Sequence, residues 1–165
     1  MVGVCKMCKE EKGLVESHLM PRLLYDYCRQ GPHRPIFATE DGLIPSDRQI
    51  QYPLLCKGCE QILNNGGETW VAEKLAHYDK TFPLHQALSA VPPVRVGQTL
   101  IYSAAKTPDV RVDKLVHFGM GIFWKAAVHS WKGGEKEPRI ELGKYSEQCK
   151  RLTNTPVRGD LSVLR

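Results

Sequence analysis

Four of the six cysteines of this chain fall in two Cys-x-x-Cys pairs, Cys5-Lys6-Met7-Cys8 and Cys56-Lys57-Gly58-Cys59. Two residues between cysteines let both thiolates face one tetrahedral ion, while N–H groups of the turn stabilise the charge on sulfur. Two such knuckles supply the four thiolates of a closed structural zinc site, so Cys5, Cys8, Cys56 and Cys59 are the expected Zn²⁺ ligands. Between the knuckles lies Glu16-Ser17-His18-Leu19-Met20-Pro21, a histidine in the stretch just before a helix-starting proline. Directly after the last knuckle comes Glu60, and Asn64 follows four residues later, on the same helix face if the segment is helical.

The elements that must position these residues follow from the pattern of the chain. Residues 2–18 read as a knuckle followed by a short hairpin, with Gly13 in the turn and Leu14 to His18 as its second strand. Pro21 suits the first position of a helix reaching about Arg29. Residues 30–53 are rich in proline and read as an irregular insertion, in which Ile36, Phe37, Leu43 and Ile44 could pair as short strands. Insertions of this length in a compact domain are often functional. A helix is expected from near Cys59, ended or kinked at Gly66-Gly67 because each glycine costs up to about 1 kcal/mol in a helix interior. A second helix is expected from Glu68 to His77.

In the C-terminal half, Val94 to Val96 and Thr99 to Tyr102 read as a hairpin around Gly97-Gln98. The strongest helical pattern runs from Val112 to Trp131. Val112, Leu115, Val116, Gly119, Ile122, Phe123, Ala126 and Ala127 recur at helical spacing, and Gly119 and Gly121 would admit a close neighbour. A short strand at Ile140 to Leu142 and a helix from Tyr145 to Leu152 complete the expectations. The histidines at 33, 77, 85, 117 and 129 show no ligand spacing and read as surface or helix-face residues.

Composition limits what this can be. The chain has 165 residues, 42% hydrophobic and 25% charged, with a formal net charge of +5. Such a length suits one domain, with a small appendage. No apolar run approaches the roughly 18 residues of a membrane span, so no membrane partner is expected. Cys5, Lys6 and Cys8 stand where the apolar part of a signal peptide would be. The expected location is therefore the cytoplasm, where thiols stay reduced and paired cysteines argue for metal. Cys28 and Cys149 read as buried apolar thiols. The mild positive charge permits a polyanionic partner without demonstrating one.

A hairpin carrying a histidine, followed by a knuckle that opens a helix, resembles the ββα-metal fold of the HNH endonucleases. The likeness rests on Cys5-x2-Cys8, on Ser17-His18-Leu19-Met20-Pro21 and on Leu55-Cys56-x2-Cys59-Glu60, and it covers residues 1–65. A narrower bacterial branch with SHxxP, LLCxxCE and a later LWR-A-S-like helix is closer still. In it, Phe123 to Ala127 and Leu142-Gly143 also find counterparts. The resemblance implies an α+β fold: a treble-clef zinc core of ββα-metal type over residues 1–79, with an added hairpin and a long C-terminal helical region over 80–165.

By the same resemblance, His18 matches the general base that activates water, and the four knuckle cysteines match the structural zinc ligands. The position of Ser17 usually carries Asp or His, and that of Glu60 usually Asn or His. Glu60 is a competent ligand for a hard ion, so Glu60 and Asn64 could hold catalytic Mg²⁺ or Mn²⁺, with Glu68 or Glu16 adding a carboxylate. Arg22, Arg29, Arg34 and Arg48 fall near this site and could meet phosphates, Arg22 and Arg29 foremost.

Three readings follow. The first is a metal-dependent endonuclease acting on DNA. The second is a non-catalytic zinc module of the same fold that binds nucleic acid or a partner protein. The third is a toxin-like or phage-defence effector in which residues 80–165 meet a protein partner or a second copy of the chain.

Overall fold

A computed structural model describes residues 1–29, 36–39, 42–46, 49–75, 77, 79–103, 106–131 and 140–154. The fold mixes α-helices with small antiparallel sheets. Strands β1 (Val2–Val4), β2 (Glu11–His18) and β5 (Gln51–Cys56) form one sheet in the order β1-β2-β5. The turn between β1 and β2 is the first knuckle itself. Cys5 N–H donates to the Glu10 carbonyl and Lys9 N–H to the Cys5 carbonyl, both at 3.0 Å, and Lys9 takes a left-handed φ of 65°. Gly13 therefore does not turn the chain, as the sequence suggested: it lies inside β2, opposite Val2.

The pairing of β2 with β5 runs from Leu14↔Cys56 at one end to His18↔Gln51 at the other. Its register slips between Val15 and Glu16, where Leu54 is passed over. A proline cannot donate to a ladder, and Pro53 sits at this irregularity. The bulge lets Leu54 and Leu55 both bury fully where strict alternation would expose one of them.

Helix α1 (Arg22–Cys28) follows β2, with Pro21 in extended conformation just before it. The insertion contains a second sheet, β3 (Ile36–Thr39) paired with β4 (Gly42–Pro45), in the register Phe37↔Ile44. His33, Arg34 and Arg48, which the sequence placed in this insertion, lie outside the described residues.

After β5 the chain enters α2 (Lys57–Leu63). Gly66-Gly67 neither ends nor breaks it. Residues Asn64–Glu68 form a π-helical turn that runs directly into α3 (Thr69–Ala72). Both glycines are buried. A Cβ on Gly66 would overlap the ring of His117, and one on Gly67 the backbone carbonyl of Lys114. The glycines are the price of close packing against α5 (Val112–Val128), and the helix expected to reach His77 ends at Ala72. Next come α4 (Pro83–Ser89) and the hairpin β6 (Val94–Val96) with β7 (Thr99–Ile101).

Helix α5 ends three residues before Trp131, and it buries a polar row beside Trp124 and Ala126 of its apolar pattern. Asp113, His117, Gly121 and Lys125, an i, i+4 row, are buried, whereas Phe123 is 53% exposed. Gly119 meets open space and Gly121 makes ordinary contact with Leu63, so the intimate approach occurs at Gly66-Gly67 instead. The reason is the facing surface: a π turn stripped of side chains, with polar groups beside it, accepts a narrow polar row better than bulky apolar residues.

Residues 140–142 form no strand; a 3₁₀ turn at Gly143–Tyr145 leads into α6 (Ser146–Asn154). The central apolar cluster joins Cys5, Met7, Leu54, Leu55, Cys56, Cys59 and Leu63 to Trp124 of α5 and Cys149 of α6. The core thus crosses from the first 79 residues into the rest. Cys149 is buried as expected, but Cys28 is exposed on α1. No helix among the described residues is long and apolar enough to cross a membrane.

Candidate functional site

The β2–β5 ladder carries a cluster at each end. At the Leu14↔Cys56 end, the knuckle in the β1–β2 turn meets the knuckle at the start of α2. The Sγ atoms of Cys5, Cys8, Cys56 and Cys59 all lie within 4.8 Å of one another, with Cys8 and Cys56 at 4.0 Å. Tetrahedral zinc at about 2.3 Å from each sulfur puts neighbouring sulfurs about 3.8 Å apart, so the four thiols fit that ion. Backbone groups point at the sulfurs: Cys56 N–H donates to Cys5 Sγ at 3.3 Å. Burial raises the Cys5 thiol, but N–H groups of Cys56, Cys8 and Met7 outweigh it and bring the pKa down to about 7. Burial and the neighbouring thiols push Cys59 the other way. Thiols gathered this closely form a donor set that a dication completes by displacing their protons. This four-cysteine cluster could hold a zinc ion.

At the opposite end, the last residues of β2 face the first turn of α2. Ser17 is fully buried, and its hydroxyl donates to a Glu60 carboxylate oxygen at 2.6 Å. Burial raises the Glu60 carboxyl above its ordinary value, although the Ser17 hydroxyl and the charges of Lys125 and His18 oppose it; Glu68 adds to the rise. Glu16 points to solvent, as strand alternation beside a buried Ser17 requires. Of the two carboxylates offered as additional ligands, Glu68 joins the site and Glu16 does not.

The His18 ring is half-buried, 6.3 Å from the Tyr25 ring. Its Nε2 lies 2.6 Å from Oε1 of Gln49. An amide oxygen only accepts, so in this pairing Nε2 is the donor. Gln49 was invisible in the sequence because nothing in its spacing ties it to His18; the pairing of His18 with Gln51 brings it there.

Asn64 meets Glu60 only through the backbone, its N–H donating to the Glu60 carbonyl at the end of α2. It lines an open cleft of about 390 Å³ between the start of α1 and the π turn, together with Arg22, Glu68, Thr69 and Glu73. Arg22 is 71% exposed at this mouth; it pairs loosely with Asp26 at 3.6 Å, as does Arg29 at 3.8 Å.

Two further residues escaped sequence reasoning. Lys125 is 2% exposed, and its Nζ donates to the His18 carbonyl at 2.7 Å and lies 3.6 Å from Glu68. His117 is 3% exposed, and burial and the nearby Lys114 charge lower its pKa. His117, Glu68 and Lys125 line an enclosed cavity of about 10 Å³. The signal was available: two polar residues eight apart on an apolar helix share a face. His129, by contrast, stacks on Tyr52 at 4.0 Å.

No protein family, curated protein or solved structure matches the chain.

Proposed function

We propose that the chain is a metal-dependent endonuclease of HNH type, with a ββα-metal core tied by zinc, hydrolysing DNA phosphodiester bonds. The observation that carries this reading is the short Ser17–Glu60 contact. It joins the strand that ends in His18 to the first turn of α2, through a carboxyl whose charged form burial disfavours.

In this reading His18 Nδ1 accepts the proton of the attacking water, and Gln49 holds the ring in the required tautomer. Glu60, with Glu68 and Asn64, would hold Mg²⁺ or Mn²⁺, which would stabilise charge on the scissile phosphate and leaving oxygen. The ion's access is the cleft beside Arg22, whose exposed guanidinium, paired only loosely with Asp26, could meet a phosphate.

The test is cleavage of supercoiled plasmid by the zinc-loaded chain with Mg²⁺ or Mn²⁺. Cleavage that needs the ion, and needs more of it in Glu60→Gln, supports the reading. Intact plasmid under both ions refutes it. One observation favours a non-catalytic zinc module instead: Ser17 and Lys125 already serve Glu60, as hydroxyl and counter-charge. A chain that cuts nothing, yet binds DNA with an affinity that falls steeply with salt, would have that role. Binding indifferent to salt would point to a protein partner.

A further inference from the structure

A lysine that is 2% exposed needs an explanation, because desolvating an ammonium is costly and apolar replacements of buried charges are often neutral or better. Lys125 sits between Trp124 and Ala126, both buried, in a run where leucine or methionine would pack. Its contacts are selective. The ion pair with Glu68 is long, at 3.6 Å, beyond hydrogen-bond range. The one short bond, at 2.7 Å, goes to the backbone carbonyl of His18. A charge placed only to neutralise Glu68 would take the short contact there.

The arm behind the ammonium is stiff. Trp124 is wedged in the apolar cluster around the knuckle cysteines, and one turn before Gly121 the His117 ring lies against Gly66. Thus α5 is fixed to the same helix that carries Glu60. The bond from Lys125 ties α5 to the last residue of β2, next to the Leu19 N–H to Ile50 carbonyl bond at 3.0 Å that follows the ladder.

We propose that Lys125 is a positioning residue for His18: its ammonium, reaching from α5, fixes the His18 carbonyl and so keeps the ring on Gln49. This rests on the nuclease reading for its purpose, but not for its geometry. It makes α5 part of the site rather than a support beneath it. The Ser17–Glu60 contact fixes the strand by its side chain, and Lys125 fixes the next residue by its backbone.

The experiment uses the full, zinc-loaded chain. In the wild type, the Lys125 ammonium protons should exchange slowly and show a through-bond coupling to the His18 carbonyl carbon; no such coupling overturns the proposal. The His18 ring nitrogens should give one protonated and one unprotonated signal. In Lys125→Met that pattern should average, and kcat on plasmid should fall by about 10²-fold, the scale of a small misplacement of a reacting group, with KM unchanged. Lys125→Arg should restore part of both. An unaltered His18 pattern in folded Lys125→Met overturns the proposal whatever happens to DNA. If Lys125→Met fails to fold, the wild-type coupling still decides. A wild type with coupling and pattern but no cleavage overturns the nuclease reading alone.

Discussion

The two ends of the β2–β5 ladder lie four residues apart along β2, yet they are built on opposite chemical terms. The Leu14↔Cys56 end gathers four soft sulfurs, three of them buried, with backbone N–H groups turned toward them. Cys8 alone of the four is partly exposed, and four thiolates would fill the coordination of a structural zinc ion. The His18↔Gln51 end gathers hydroxyl, carboxylate, amide and imidazole groups next to an open cleft. Those are hard donors, suited to ions that keep water. One strand thus carries a rigid anchor at one end and an accessible polar site at the other. The anchor sets the distance between β2 and α2 on which the Ser17–Glu60 contact depends.

If the sulfur end is the anchor, its loss should be the largest effect of any change. Structural zinc is linked to folding by roughly 10 kcal/mol or more in small zinc modules. Cys59→Ser, or a strong chelator, should unfold β1, β2 and β5 and loosen α5 around Trp124. Metal analysis with hydrogen exchange checks this; retained protection at Leu54 and Leu55 without metal would break the contrast. The polar end should behave in the reverse manner. His18→Ala should lower plasmid cleavage by about 10²–10⁴-fold, the usual worth of general-base catalysis, while zinc content and unfolding midpoint stay unchanged.

A smaller effect separates the ends mechanically. Gly66→Ala places a Cβ into the His117 ring, and overpacking of this kind costs about 1–3 kcal/mol. The urea midpoint should fall, yet zinc should remain bound, because the strain falls on α5 and the polar end. The smallest expected effect is a pH dependence. His117 has a folded pKa below its ordinary 6.5, first from burial and then from Lys114. The unfolded chain therefore binds more protons than the folded one just below pH 6.5. Stability from this group is complete above pH 6.5 and declines as pH falls through that window. Urea midpoints at pH 7.5 and 5.5 should differ less in His117→Gln than in the wild type.

Much of this was legible in the sequence. The two knuckles announced the sulfur cluster because ligand spacing is a local property. Strand pairing at Phe37 and Ile44, the hairpin around Gly97 and the α5 helix were readable from alternation and periodicity. Glu60 was legible as a hard donor from its place after Cys59. What escaped was set by partners distant in sequence. The apolar pattern of α5 located Trp124 and Ala126 in the buried part of the helix but not the polar row beside them, because Gly66, Gly67 and Glu68, which that row meets, are distant in sequence. Gly66-Gly67 read as a stop signal, since glycine weakens an isolated helix, but the need for contact with His117 and Lys114 outweighed that preference. Gly13 read as a turn because nothing local shows that the knuckle already reverses the chain.

The bond from Lys125 to His18 also has a meaning in time. Its partners are 107 residues apart, and a ribosome adds about 5–20 residues per second. About 5–20 s therefore pass between the synthesis of His18 and that of the lysine that holds its carbonyl. The second knuckle is made less than halfway through that interval. The growing chain could close its four cysteines around an ion early, while the far end of the same strand waits for a helix not yet translated. Order of manufacture alone lets the four cysteines come together before the polar site can be finished.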